Sequence, residues 1–421
     1  MKSKLHLAIG LVLVFTLLVC SVAHTAPITL DYWTGFTGPD GTTMQGLVDQ
    51  FNKEHEGKIK VNMSVMPWGN FYEKIVAAVI SGKAPDVAVM HLDRMAEFAS
   101  GGVLLPLDDL IGPLGLEGSD YIEAVWNCGV WEGKRYSIPL DAHPNVMYWN
   151  KALFEDAGLD PDSPPTDRES FLAITKALTK DISGDGKIDQ WGTAVSVGWP
   201  NFHIWYSIFY QNGGILFNET NTKATYNSEA GIDALQLLVD YIYEHKVSPE
   251  NVQVDSEHEA FKRGELGITF NGIWMLSDYK NQPNLKFGAG PVPQWGSQRP
   301  AVWAGSHQFV LPKQRSSDMQ KVTAALDFVK WIGNHSLEWG FGGQLPAKLS
   351  VLRGEEFRQD PYLANIAKME THIYFPPFFP KYGEATGPIW DAINAAVLRA
   401  KSPEEALANA ADLSDKILAG K

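Results

Sequence analysis

Two periods of apolar residues alternate along the first part of the chain. Ile59, Val61, Met63 and Val65 alternate with polar residues, the period of a strand buried on one face. Upstream, residues 28–33 read as a strand, Gly38-Pro39-Asp40-Gly41 as a turn, and Met44, Leu47, Val48 and Phe51 recur at helical spacing. Downstream, Phe71, Ile75, Val76 and Val79 predict a helix that stops near Gly82. The unbroken run Val87-Ala88-Val89-Met90 predicts a strand buried on both faces of a parallel sheet.

The second half repeats this style without repeating the sequence. Ser228 opens a helix with Ile232, Leu235, Leu238, Val239 and Ile242 on one face. Phe261-Lys262-Arg263-Gly264 closes another, and residues 266–270 read as a buried strand. Asp318 is expected to cap a helix bearing Val322, Ala325, Leu326 and Val329. Ser402-Pro403-Glu404-Glu405 is a capping box with Pro at the first helical position. This strand–helix alternation predicts an α/β fold. No low-complexity linker divides the chain, so the backbone is expected to cross between lobes more than once.

The amino-terminal stretch breaks the pattern. Lys2 and Lys4 precede an apolar run from Leu7 to Val19, followed by the small residues Ser21, Ala23 and Ala26. A basic start, a short apolar core and a small-residue exit predict a secretory signal peptide over residues 1–23. The run is short for a span of about 20 apolar residues. The alternative is a lipoprotein signal with Cys20 as the lipidated terminus, although Val19 is bulky where a small residue is wanted. The mature protein is therefore expected in the periplasm, or at the cell surface if anchored through Cys20.

Composition narrows the function. The 421 residues are 45% hydrophobic and 20% charged, enough apolar material for a sizeable core. Acidic residues outnumber basic ones by 49 to 35, a net charge of −14, and no basic run exists to neutralise phosphates, so nucleic acid is not an expected partner. Removal of Lys2 and Lys4 with the leader leaves 33 basic against 49 acidic side chains, or −16, and leaves Cys128 without a pairing partner. Cys128 is then expected to be a small buried hydrophobe.

Catalytic patterns are absent from the sequence: no nucleophile elbow, paired zinc histidines, phosphate loop or dinucleotide fingerprint. Trp is abundant instead, with 14 copies beside 14 Tyr and 20 Phe. Trp33, Trp68, Trp199 and Trp303 stand next to turns. An indole face suits the C–H face of a sugar ring while polar side chains take its hydroxyls, so the set points to a carbohydrate or polyol cleft. Each Trp on its own also reads as an ordinary buried residue. Asp181, Ser183, Asp185 and Asp189 alternate as in a calcium loop, but the twelfth position is Gly192 where a bidentate Glu is expected. A solvated Asp/Gly turn without metal is the preferred reading, and no cofactor is expected. His143, beside Pro144, reads as a hydrogen-bonded loop histidine unless a ligand lies against it.

Taken in order, several fragments resemble the carbohydrate-binding extracellular solute-binding proteins of ABC importers, whose best-known member is maltose-binding protein. They are Tyr32-Trp33, Ser81-Gly82-Lys83-Ala84-Pro85-Asp86-Val87, Ile138-Pro139, Met147-Tyr148-Trp149-Asn150-Lys151, Asn212-Gly213-Gly214, Phe261-Lys262-Arg263-Gly264-Glu265-Leu266-Gly267-Ile268, Asn271-Gly272-Ile273-Trp274 and Leu345-Pro346-Ala347-Lys348. The resemblance implies a two-lobed, periplasmic-binding-protein-like (type II) α/β fold that closes on a ligand. Lobe I is expected over 27–140 plus 306–344 and lobe II over 141–305 plus 345–421, with hinge crossings near Leu140, Ser306 and Gln344.

The resemblance also implies site residues. Asp93 and Arg94 match a pair that holds sugar hydroxyls, and Trp33, Trp274 and Trp390 match tryptophans of the family's cleft. Gly305-Ser306 matches a small-residue crossing that presents backbone to ligand, and Trp199 lies in a loop equivalent to an aromatic-bearing one. Trp303 joins the set from its turn. His143 stands where the family has a ligand-contacting Glu, and Met90-His91-Leu92 lacks a neighbouring Trp, so the ligand is expected to differ. From charge pattern alone, Asp93 reads instead as the cap of a helix. The expected function is non-catalytic capture of a mono- or oligosaccharide or polyol for delivery to permease subunits and their ATPase, by a monomer. A secreted glycoside hydrolase is the alternative, since it would share an aromatic cleft.

Overall fold

A computed structural model describes residues 26–316, 318–375 and 378–420. The expected leader over 1–23 and Cys20 lie outside the described residues. The chain builds two α/β lobes around separate sheets.

The first sheet contains β1 (Ile28–Thr34), β2 (Ile59–Val65), β3 (Val87–His91), β4 (Ser137–Pro139) and, returning from far along the chain, β9 (His307–Val310). Its order is β2-β1-β3-β9-β4, with β1 parallel to β2 and β3 and with β9 antiparallel to β3 and β4. That is the type II order the resemblance implied. In β3, Val87 through Met90 are fully buried, as the continuous apolar run predicts.

Helix α1 (Pro39–Glu54) begins inside the stretch that reads as a turn in sequence. Pro39 sits at its first position, where its fixed φ and missing N–H cost nothing, so the turn residues become the first helical turn. Helix α2 (Trp68–Ser81) buries Phe71, Ile75 and Ala78 and ends at Gly82 in the left-handed region, while Val76, expected on the buried face, is exposed. Helix α3 (Leu92–Ser100) starts directly at the end of β3. Asp93 is inside its first turn and does not cap it: the cap position belongs to His91.

The second sheet is organised by β5 (Asp141–Asn150), buried along its whole length. It pairs with β6 (Ile268–Gly272), β7 (Phe287–Gly290), β8 (Val302–Gly305) and β10 (Leu345–Pro346), and β8 continues to β11 (Ile373–Tyr374). Helix α4 (Trp199–Gln211) is apolar on nearly every side and runs through the core of this lobe, as an all-round hydrophobic helix must. Helix α5 (Glu229–Tyr243) carries the expected Ser228 cap, and α6 (Met319–Asn334) carries the expected Asp318 cap. Helix α7 (Ser336–Phe341) leads back towards the second lobe. Helices α8 (Tyr382–Val397) and α9 (Pro403–Leu418) close the chain, the latter with Ser402 accepting from the Glu405 N–H at 3.2 Å.

Three short segments join the sheets: Leu140 between β4 and β5, Ser306 between β8 and β9, and Gln344 before β10. All three residues are buried. One excursion differs from a simple division by sequence. Residues 118–128 lie within the expected lobe I span, yet Tyr121, Ile122 and Val125 join the core that holds Leu345, Ala347 and Leu352. The Ile122 N–H donates to the Ala347 carbonyl at 2.9 Å, which fixes that segment beside the hinge.

Candidate functional site: an aromatic cleft over a histidine-lined hinge

A cavity of about 790 Å³ opens between the lobes. Lobe I supplies the loop after β1, Asp40 in the first turn of α1, Trp68 at the start of α2, His91 at the end of β3 and Asp93 in the first turn of α3. In an α/β sheet the carboxyl ends of strands leave such a crevice, where the chain order reverses about β1. Lobe II supplies Trp199, Phe202, His203 and Tyr206 from α4, Asp255, Trp274, and Tyr382, Thr386 and Trp390 from α8. The hinge strands supply His143, Trp303, Gly305 and His307 as the floor.

The indoles are held by neighbouring rings. Trp303 stacks on His203 with centroids 3.3 Å apart and planes within 12°. Trp390, 38% exposed, stacks on Phe202 at 5.3 Å. Trp274 lies 5.9 Å from Trp199. These partners fix the orientation of each indole at the cleft wall. Gly272 makes the approach of Trp274 possible: a Cβ there would fall 2.0 Å from the indole. A second cavity of about 710 Å³, between residues 118–127 and 349–373, lacks such a face. Its one indole, Trp126, is covered by the Arg135 guanidinium at 3.7 Å and the Tyr121 ring at 4.8 Å.

Beneath the cleft, Asp141 gathers the hinge. Its carboxylate accepts from His307 N–H at 2.9 Å, His307 Nδ1 at 2.8 Å, His143 Nδ1 at 3.1 Å and Trp339 Nε1 at 2.8 Å. Burial alone would raise its pKa, but the His307 and His143 interactions outweigh that and hold Asp141 well below the usual carboxylate range. His91 ends β3 directly opposite His307 on β9, its Nδ1 at 2.7 Å from the Tyr72 hydroxyl. Trp68 lies 4.2 Å from the His91 ring and stacks on His307 at 5.7 Å. The three imidazoles of His91, His143 and His307 converge, with ring centroids 4.2–6.0 Å apart. Burial and the neighbouring His307 and His143 push His91 well below the ordinary histidine pKa, so it is neutral at pH 7. Gly305 is required opposite His143, since a Cβ there would sit 2.1 Å from Nε2.

Asp93 has lost hydration at the cleft edge, which raises its carboxyl to about 6 despite the adjacent Arg94. Asp40 is likewise raised by burial, against the pull of His307.

Of the residues expected at the site, Asp93, His143, Trp199, Trp274, Trp303, Gly305 and Trp390 all line the cavity. Trp390 does so from within α8, not from the segment before a helix. Trp33 and Arg94 do not line it. Trp33 lies under the Lys74 ammonium at 4.8 Å, on the opposite side of β1 from the buried Tyr32. Arg94 turns away over the Tyr72 ring at 4.6 Å and pairs with Glu97 at 2.9 Å. In the 181–189 loop the carboxylates serve the loop's own backbone: Asp181 accepts from the Gly184 and Gly186 N–H groups at 2.7 and 2.8 Å, and Asp189 from Ser183 at 2.8 Å. Cys128 is half-buried, and burial pushes its thiol up to about 12.

Sequence reasoning did not nominate His91, His203, His307 or Asp40 as site residues, and it named Trp68 only within the set of turn-flanking tryptophans. Trp68 carried the same turn signal as the nominated tryptophans. The histidines carried none: His91 and His307, 216 positions apart, are brought together by the pairing of β9 with β3, and His203 joins them from α4.

Known proteins share this architecture. The chain is 26% identical over 411 residues to the arabinooligosaccharide-binding protein of Bacillus subtilis, covering 91% of this chain and 90% of that one. A solute-binding protein of an ABC transporter from Thermotoga lettingae, solved with α-D-tagatose, superposes with a TM-score of 0.79 at 23% identity, over 93% of this chain and all of that one. UgpB of Mycobacterium tuberculosis, solved with glycerophosphocholine, gives 0.80 at 21% identity, over 94% and 99% of the two chains. The family profile of bacterial extracellular solute-binding proteins matches residues 36–336, most of the chain and both lobes, and the protein belongs to that family.

Proposed function

We propose that the protein captures a mono- or oligosaccharide, or a related polyol, between its lobes and delivers it unchanged to the permease of an ABC importer. The observation that carries this reading is the ring of indoles at Trp68, Trp199, Trp274, Trp303 and Trp390 around a cavity of about 790 Å³, with the carboxyl groups of Asp40, Asp93 and Asp255 set among them. Indole faces take the C–H faces of a pyranose or furanose ring, and carboxylates take hydroxyls with charge-assisted strength. The cavity has the size of ordinary small-molecule sites. Relatives named for arabinooligosaccharide and maltotriose binding support the solute class. Family membership supports export, either free in the periplasm or anchored through Cys20. No helix among the described residues is long and apolar enough to cross a membrane.

Thermal melting against a panel of saccharides and polyols tests the reading. A solute at about 100 times its dissociation constant stabilises the folded state by about 2.7 kcal/mol. Absence of any shift across the panel overturns the solute class. Release of reducing sugar from labelled glycosides, beyond background, overturns delivery without chemistry and restores the hydrolase alternative.

A further inference from the structure

We propose that His91, His143 and His307 form a three-histidine site for a divalent transition cation of the zinc class at the floor of the cleft, with the remaining coordination position facing the captured solute. One ring nitrogen from each histidine lies within 4.8 Å of the other two, and among the described residues this is the one group of three His, Cys, Asp or Glu side chains that converges so closely.

The supporting groups have the form a metal site needs. In each ring Nδ1 is already engaged: by Asp141 in His143 and His307, and by the Tyr72 hydroxyl in His91. That leaves Nε2 as the ligand atom in all three, and none makes a hydrogen bond to the protein among the described residues. A carboxylate behind a ligating imidazole fixes its tautomer and orientation and raises its basicity. Asp141 does this for two ligands at once, and its negative charge lies under the position a cation would take. With Nε2 on a metal, His91 donates Nδ1–H to the Tyr72 oxygen. A set of imidazole nitrogens selects zinc, copper, nickel or cobalt over calcium and magnesium, which prefer oxygen.

The geometry also assigns a moving part. Tetrahedral bonds of about 2.1 Å hold ligand nitrogens about 3.4 Å apart, closer than the 4.8 Å within which one nitrogen of each ring lies, so the rings draw together on binding. His91 ends β3 directly opposite His307 on β9 in the lobe I sheet, while His143 stands on β5 of the other sheet, just past the Leu140 crossing. Closure of the lobes, which carries β5, is motion that brings His143 towards the His91–His307 pair, and a cation bound to all three favours the closed form. This inference does not depend on the solute being a carbohydrate.

The experiment uses tag-free mature protein stripped with a chelator, titrated with Zn²⁺ by calorimetry and with Co²⁺ by visible absorption. The expected result is saturable binding of one Zn²⁺ per chain and a tetrahedral Co²⁺ spectrum. Asp141→Asn should weaken Zn²⁺ by about 10–100-fold, the usual cost of losing an outer-shell group, and His91→Ala by more. His91→Gln, which keeps a polar side chain but no imidazole, should also abolish the Co²⁺ spectrum, and its melting curve without metal checks the fold. Absence of one-to-one Zn²⁺ binding, or Zn²⁺ affinity unchanged in a folded His91→Gln, overturns the site. A saccharide-dependent thermal shift in the chelator-stripped parent, together with one-to-one Zn²⁺ binding that His91→Gln loses, supports the metal site and leaves the solute reading standing. Zn²⁺ binding with no saccharide response supports the metal site while the solute reading fails.

Discussion

Asp141 and His307 are joined twice across 166 positions of sequence: Oδ1 of Asp141 accepts the His307 backbone N–H at 2.9 Å, and Oδ2 accepts from its Nδ1 at 2.8 Å. The same Oδ2 accepts from Trp339 Nε1 at 2.8 Å. One buried carboxylate thus ties two of the hinge crossings and α7 together. An unpaired charge there would be costly, and these donors are why it is tolerated.

Asp141→Asn should therefore cost stability as well as geometry. Losing charge-assisted hydrogen bonds worth about 1.5–3 kcal/mol each, which do not add fully, predicts a loss of about 3 kcal/mol by denaturant titration. A midpoint unchanged from the parent would show that the hinge does not rest on this carboxylate.

Asp93 faces the cleft and does not cap α3, so Asp93→Ala should weaken solute binding by about 1.5–3 kcal/mol and leave the melting temperature nearly unchanged. Calorimetric affinity and a melting curve on the same preparation decide this. A fall in melting temperature with intact affinity would return Asp93 to a purely structural role.

Two tryptophans should behave oppositely. Trp274 lines the cavity, whereas Trp33 lies outside it under Lys74. Trp274→Ala should lower affinity about tenfold or more through lost ring contact. Trp33→Ala should leave the dissociation constant as it was. Equal effects from the two substitutions would contradict the placement.

Glu257 predicts a pH dependence. It is 2% exposed, neither carboxylate oxygen has a hydrogen-bond partner among the described residues, and burial raises its pKa from 4.5 to about 7. Because the folded state prefers the protonated form, this contribution is fully present below pH 4.5 and is lost as pH rises towards 7. At 1.36 kcal/mol per pH unit, the loss is about 3 kcal/mol at most. Glu257→Gln cannot ionise, so its melting temperature should gain on the parent between about pH 4.5 and 7 and level off above that. A difference that stays flat with pH would show that Glu257 does not titrate in this range.

The fold was legible because its signals are local. Continuous apolar β3, the Pro403 helix start, the Ser228 and Asp318 caps and the Gly82 stop each depend on residues within a few positions of one another. Where local rules competed, sequence reading missed. The Gly38–Gly41 stretch is helical from Pro39 because a proline suits the first helical position and α1 packs its apolar face against β2, and on α2 Ala78 is buried where Val76 is exposed.

The site divided differently. Sequence by itself, through turn-flanking tryptophans and the ordered fragments of a family, determined that an aromatic solute cleft lies between two lobes, and it placed seven of the residues that line it. Only the tertiary structure decided that Trp33 and Arg94 turn away, and that Asp141 lies beneath three histidines drawn from positions 91, 143 and 307. The reason is physical. A strand's side chains alternate in sequence, but which residues meet across a hinge is set by strand pairing. Here β9 returns from more than two hundred residues away to lie between β3 and β4, and no local pattern records that partner.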